Sequence, residues 1–200
     1  MKDTGMNGYQ RMAERLYEFG LTTRALADET IEYAADWPEF PPERRERDLI
    51  AVAALCEAVV QAHSDDVDFA EDAYRAIFRT AGRLSGGAVT VTDVELVGDE
   101  DSLRNLRFKV NGVPKCWPID QESDDYLDLA AIAEGIDDLA PGGGDPRVFH
   151  LLPGVRRHDD DHYLLATPEQ AAALHAEFGL RIEVRGPDGE LLGEAPPRRR

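Results

Sequence analysis

Leu106-Arg107-Phe108-Lys109-Val110-Asn111-Gly112-Val113-Pro114-Lys115-Cys116-Trp117 is the stretch that decides the fold class. On either side of Asn111-Gly112, apolar and polar residues alternate with the two-residue period of a strand. Asn-Gly fits the two positive-φ positions of a type I′ turn, so a tight hairpin is predicted over 104–119. That register sets Val110 opposite Val113, Phe108 opposite Lys115 and Leu106 opposite Trp117. One face is then mostly apolar and must pack inward.

Upstream of Gly86-Gly87 the period is helical instead. Tyr9, Met12, Ala13, Leu16 and Phe19 follow three-and-four spacing up to Gly20. Thr22 or Thr23 is placed to cap a second helix bearing Leu26, Ala27, Ile31 and Ala34. Pro41-Pro42-Glu43 opens a predicted long third helix, apolar nearly all round from Leu49 to Val60 and so central. A fourth carries Phe69, Ala73, Ile77, Ala81 and Leu84. His63 is expected at the C-terminal end of the third of these.

Downstream of the hairpin, Ser123 is read as the cap of a fifth helix reaching about Leu139. Arg147–Leu152 and His162–Ala166 read as short strands. Thr167-Pro168-Glu169-Gln170 combines an N-cap, a proline at N1 and Gln at N3, the start of a sixth helix that ends at Gly179. Leu180–Val184 is the last predicted strand. The sequence therefore predicts an α+β protein: a helical layer of about four helices packed with a mostly antiparallel sheet carrying two more. The regions are 1–87, helical; 88–185, α+β; and 186–200, a turn and basic tail. They are compatible with one continuous domain.

Composition limits function. The 200 residues include 40 Asp and Glu against 22 Lys and Arg, a net charge of −18, with 42% hydrophobic residues. That apolar fraction supports a core. No run approaches the roughly 20 apolar residues of a membrane span, and no secretory leader is read at the N-terminus. A cytoplasmic location is expected. Affinity for nucleic acid rests on clustered bases, which this balance disfavours. Cys56 and Cys116, about sixty residues apart, make neither a redox pair nor a zinc knuckle. Nucleotide-binding glycine loops and the serine-nucleophile elbow are absent from the sequence.

Two features remain. His158-Asp159-Asp160-Asp161-His162, with His150 upstream, offers imidazole and carboxylate donors for a transition metal such as Zn. A hydrolytic metalloenzyme using His150, His158, His162 and Asp160 is the alternative that this loop suggests. The other feature is charge: between Asp120 and Asp145 lie nine acids and no base. A segment so one-sided repels itself and is suited to a basic partner protein. Asp124, Asp125, Asp128, Asp137 and Asp138 are its expected electrostatic residues, with Tyr126 and Trp117 as aromatic anchors. In organisation, a small acidic chain without catalytic motifs resembles the bacterial immunity proteins, which neutralise a cognate toxin. That resemblance implies an antitoxin-type inhibitor covering a positive groove. An accessory or self-associating scaffold is the third reading.

Overall fold

The computed structural model describes residues 5–37, 45–64, 68–98, 104–120, 126–153, 160–186 and 189–193. Three helices come first, α1 (Gly8–Glu18), α2 (Arg24–Tyr33) and α3 (Arg45–Leu55), then strand β1 (Val59–His63) and helix α4 (Ala70–Leu84). Strands β2 (Val91–Val97), β3 (Arg104–Val110) and β4 (Val113–Ile119) follow. Next come α5 (Leu129–Gly135), running into a 3-10 turn at Ile136–Leu139, then β5 (Val148–Leu152) and β6 (Asp160–Ala166). Helix α6 (Pro168–Phe178) and a short pair, β7 (Val184–Arg185) and β8 (Leu191–Gly193), end the described chain. The fold is α+β. All three sheets are antiparallel, in the orders β1-β6-β5, β2-β3-β4 and β7-β8.

Local chemistry sets many of these boundaries. Asn7 and Gln10 form a capping box at the start of α1, and Thr167 and Gln170 form another at α6, satisfying main-chain donors that a helix start leaves open. The hairpin forms in the predicted register, with Asn111 at φ 50° and Gly112 at φ 80°. Asn111 does more than turn the chain. Its side chain accepts from Thr90 N–H (2.8 Å) and donates to Ala88 C=O (3.0 Å), tying the turn to the approach to β2.

Three predicted elements are corrected. The third helix stops at Leu55, the chain turns through Glu57 at φ 49°, and Val59-Val60 begin β1. A run that is apolar on every side suits a strand buried on both faces as well as a central helix, and the β-branched pair favours the strand. His63 consequently belongs to a strand. The fifth helix begins at Leu129 with Asp128 as its cap; Ser123 lies outside the described residues. Of the predicted last strand only Val184 lies in a strand, opposite Gly193 of β8, while Glu183 makes a single main-chain bond to Leu151 of β5.

The sheet β1-β6-β5 lies between two cores. Val59, Leu152, Leu164 and Ala166 belong to one cluster with α1, α3 and α6 residues such as Met12, Leu16, Val52 and Leu174. Val60, Ala62, Phe149, Tyr163 and Leu165 belong to the other, with α4, α5 and the hairpin. Alternate residues of each strand thus serve opposite cores. Strands from both sides of Gly86-Gly87 make this one sheet. Among the described residues, no helix is long and apolar enough to cross a membrane.

Phe78, Phe108 and Trp117 form the aromatic centre of the second core, with ring centroids 4.6 to 5.4 Å apart. Gly135 lies against this cluster. A Cβ there would fall within 2.6 Å of Trp117 Cδ2 and Cζ2. Alanine is worth up to about 1 kcal/mol over glycine in a helix, but overpacking of this kind costs about 1–3 kcal/mol. Gly135→Ala should therefore destabilise the protein, measured as a lower urea midpoint with an unchanged slope.

Candidate functional site

The histidines of the predicted metal site have separate roles. His150 is fully buried, and its two ring nitrogens are both engaged: Nδ1 accepts from Arg185 N–H (3.0 Å) and Nε2 donates to Ala166 C=O (3.1 Å). Those partners select one neutral tautomer, and burial lowers the pKa of the ring. His150 is therefore a structural pin holding β7 to β5, with no lone pair left for a metal. His162 lies on the same face of the sheet, 8% exposed, and its buried Nδ1 finds no partner among the described residues. Burial lowers its pKa too. Asp160 instead approaches His63 across the β1–β6 pair, with Oδ1 to Nδ1 at 2.5 Å. Neighbouring Asp161 accepts from Tyr163 OH (3.1 Å), and burial raises its pKa. His158 lies outside the described residues, among which no three His, Cys, Asp or Glu side chains form a group able to hold a metal.

The acidic segment is also largely internal in its commitments. Asp128 caps α5, accepting from Ala131 N–H (3.0 Å), and takes Asp120 N–H as well (2.8 Å). Asp138 accepts from Lys115 Nζ (2.5 Å) and Trp117 Nε1 (3.0 Å). Asp137 pairs with Arg185 at 3.2 Å. Trp117, expected as a surface anchor, is 4% exposed and belongs to the core, because its indole N–H has a carboxylate partner at the boundary and its rings have aromatic neighbours. Tyr126 is 38% exposed. Asp124 and Asp125 lie outside the described residues.

Uncompensated charge gathers instead on the outer face of α2 and in the turn that follows it. Glu29, Glu32 and Asp36 are exposed, and none of them has an ion-pair partner among the described residues. Arg24, at the start of the helix, is already shared between Asp28 and Glu14. The last turn holds no base, so Glu32 and Asp36 add negative charge at the helix end whose dipole is already negative. Glu29 and Glu32 are also neighbours three residues apart, a repulsive spacing. Among these acids stands Tyr33, 62% exposed. Its ring meets the edge of Trp37 at 5.5 Å, and Trp37 in turn meets buried Tyr9 at 4.9 Å. The exposed aromatic is thus braced through to the core.

No family model matches this chain. Comparison with curated proteins and with solved structures finds no significant match to either.

The α2 surface has a sequence signal that the longer acidic run overshadows: from Asp28 to Asp36 there are four acids and no base. Placing Glu29 and Glu32 on one side with Tyr33 requires the helix. The buried histidines make a pH prediction. Both sit below the usual imidazole value of 6.5, so the unfolded chain takes up protons first as pH falls. Their contribution to stability is complete above that value and is lost with acidification through the folded-state values. The melting temperature should fall on going from roughly pH 7.5 to 5.5. His162→Gln should flatten that slope, and an unaltered slope would remove His162 as a cause.

Proposed function

We propose that this protein is a binding module for a basic partner protein, engaged through the outer face of α2. The observation that carries the reading is the set Glu29, Glu32 and Asp36 around exposed Tyr33, uncompensated among the described residues. Glu32 in the last turn of α2 and Asp36 just beyond it oppose the helix dipole, at about 0.3–1 kcal/mol each, and a cation brought by a partner would relieve that cost. A braced aromatic surrounded by complementary charge is also the usual make-up of an interaction hot spot. The wider field of a chain with net charge −18 would steer a basic protein toward this face and hasten encounter. An immunity or antitoxin role is the instance of this reading in which the partner is a toxin.

The test is simultaneous reversal of Glu29, Glu32 and Asp36 to lysine. Because bases suit the end of α2, the variant should melt no lower than the parent. Used as bait in its own host, the parent should retain a basic polypeptide at low salt and release it at high salt, and the variant should fail to retain it. Equal retention by both baits would overturn the proposal.

A further inference from the structure

The two three-stranded sheets have four edges, and three of them are closed by recognisable devices. On β2, Asp93 at φ 55° breaks the register between Thr92 and Glu95. On β4, Pro114 and Pro118 lack the N–H that a further strand would need. The outer edge of β5 is occupied where Leu151 C=O accepts from Glu183 N–H (2.9 Å) and His150 holds Arg185. Edges are commonly closed in these ways because an open one is a template for another strand.

Among the described residues the edge of β1 has no such device from Val59 to Gln61; just beyond the strand, Ser64 C=O accepts from Leu127 N–H (2.8 Å). The orientation of that edge follows from the Leu151–Glu183 bond. Leu151 turns away from β6, so by alternation His150 and Leu152 bond to β6, and within β6 Tyr163 and Asp161 turn toward β1. Val60 and Ala62 answer them. The main-chain N–H and C=O groups of Val59 and Gln61 therefore face outward, and they have no partner among the described residues. They open onto a groove of about 470 Å³. Its far wall is α4, where Ala73, Ala76 and Thr80 are short enough to leave room. Five strand residues span about 17 Å, and acid–base pairs bracket that length: Glu57 with Arg83 at 3.2 Å, and Asp160 with His63 at 2.5 Å.

We infer that this groove receives an extended segment of the basic partner, added as a fourth strand along β1. Only main chain in the extended form matches the alternating donors and acceptors of Val59 and Gln61. Small or β-branched side chains fit between β1 and α4. The ends of the groove are neutralised within the fold, Glu57 by Arg83 and Asp160 by His63, so the preference for lysine or arginine in the bound segment comes from the field of a chain with net charge −18. The inference rests on the basic-partner reading and adds to it the conformation and seat of the bound segment.

The probe is a synthetic peptide of alternating lysine and valine, with an isomeric peptide interrupted by proline as control. Binding is followed by fluorescence anisotropy and by amide signals of the full chain. The alternating peptide should bind, slow amide exchange at Val59 and Gln61, and exceed the interrupted control at least tenfold. Gln61→Pro removes the outward donor without breaking a β1–β6 bond, and Ala76→Trp fills the groove from an exposed helix position. Each should weaken binding at least tenfold with the amide spectrum otherwise intact. Binding that leaves Val59 and Gln61 unchanged, and is lost on reversing the α2 acids, would overturn the groove while leaving the basic-partner reading in place. Protection of the same amides by a serine-for-lysine peptide with equal affinity would keep strand addition and overturn the preference for a basic segment. No binding, or a dimer on gel filtration that Gln61→Pro dissolves, would overturn the inference.

Discussion

Strand β6 is buried on both faces, and the rest of the molecule is arranged around that condition. A strand in this position needs apolar side chains at consecutive residues, and Tyr163-Leu164-Leu165-Ala166 supplies them. It also needs a hydrogen-bonding neighbour on each side, because an unpaired main-chain group in the interior costs about 1–3 kcal/mol. β1 and β5 meet that need and extend the partition between the cores. Helices α1, α3 and α6 then cover one face, while α4, α5 and the hairpin cover the other. His150 fits the same scheme: a polar ring in the wall, kept neutral and bonded at both nitrogens, fastens the chain beyond α6 to the sheet.

What the sequence made legible was local. Asn111-Gly112 and Thr167-Pro168-Glu169-Gln170 carry their own geometry, since turns and caps are decided within a few residues. The hairpin register and α6 could be read for that reason. β1 could not, because Val59 and Val60 continue an apolar run from α3 and only pairing with residues about a hundred positions later makes them a strand. The site was obscured in a related way. Charge counts identify acids but not their partners. Asp138 looks like a free surface carboxylate until Lys115 and the Trp117 indole are seen to converge on it.

Two kinds of acidic residue can therefore be distinguished by what surrounds them. Asp128, Asp137 and Asp138 cap a helix, pair with a base or satisfy an indole, and so belong to the fold's own hydrogen bonding. Asp145 is another of this kind: it holds Arg147, which donates to Leu84 and Ser85 carbonyls at the end of α4 and lowers the carboxyl's pKa. Glu29, Glu32 and Asp36 contribute nothing comparable among the described residues. Their cost to α2 is modest against a whole-protein stability of about 5–15 kcal/mol, which is the range within which a surface can be shaped for something other than stability.

The distance along the chain between β1 and β6 also bears on how the molecule is made. Pairing Val59 with Leu164 closes a loop of about a hundred residues, and long-range pairings of this kind form slowly. During synthesis, α1 to α3 and β1 emerge well before the strand and the helix that seal them. The first core then lacks Leu164, Leu174 and Phe178 until about a hundred further residues have been made, so nascent chains expose an apolar surface for several seconds at about 5–20 residues per second. Mutual repulsion among highly acidic chains would keep such intermediates apart during that interval. In that sense the chain's negative charge would protect its own biogenesis.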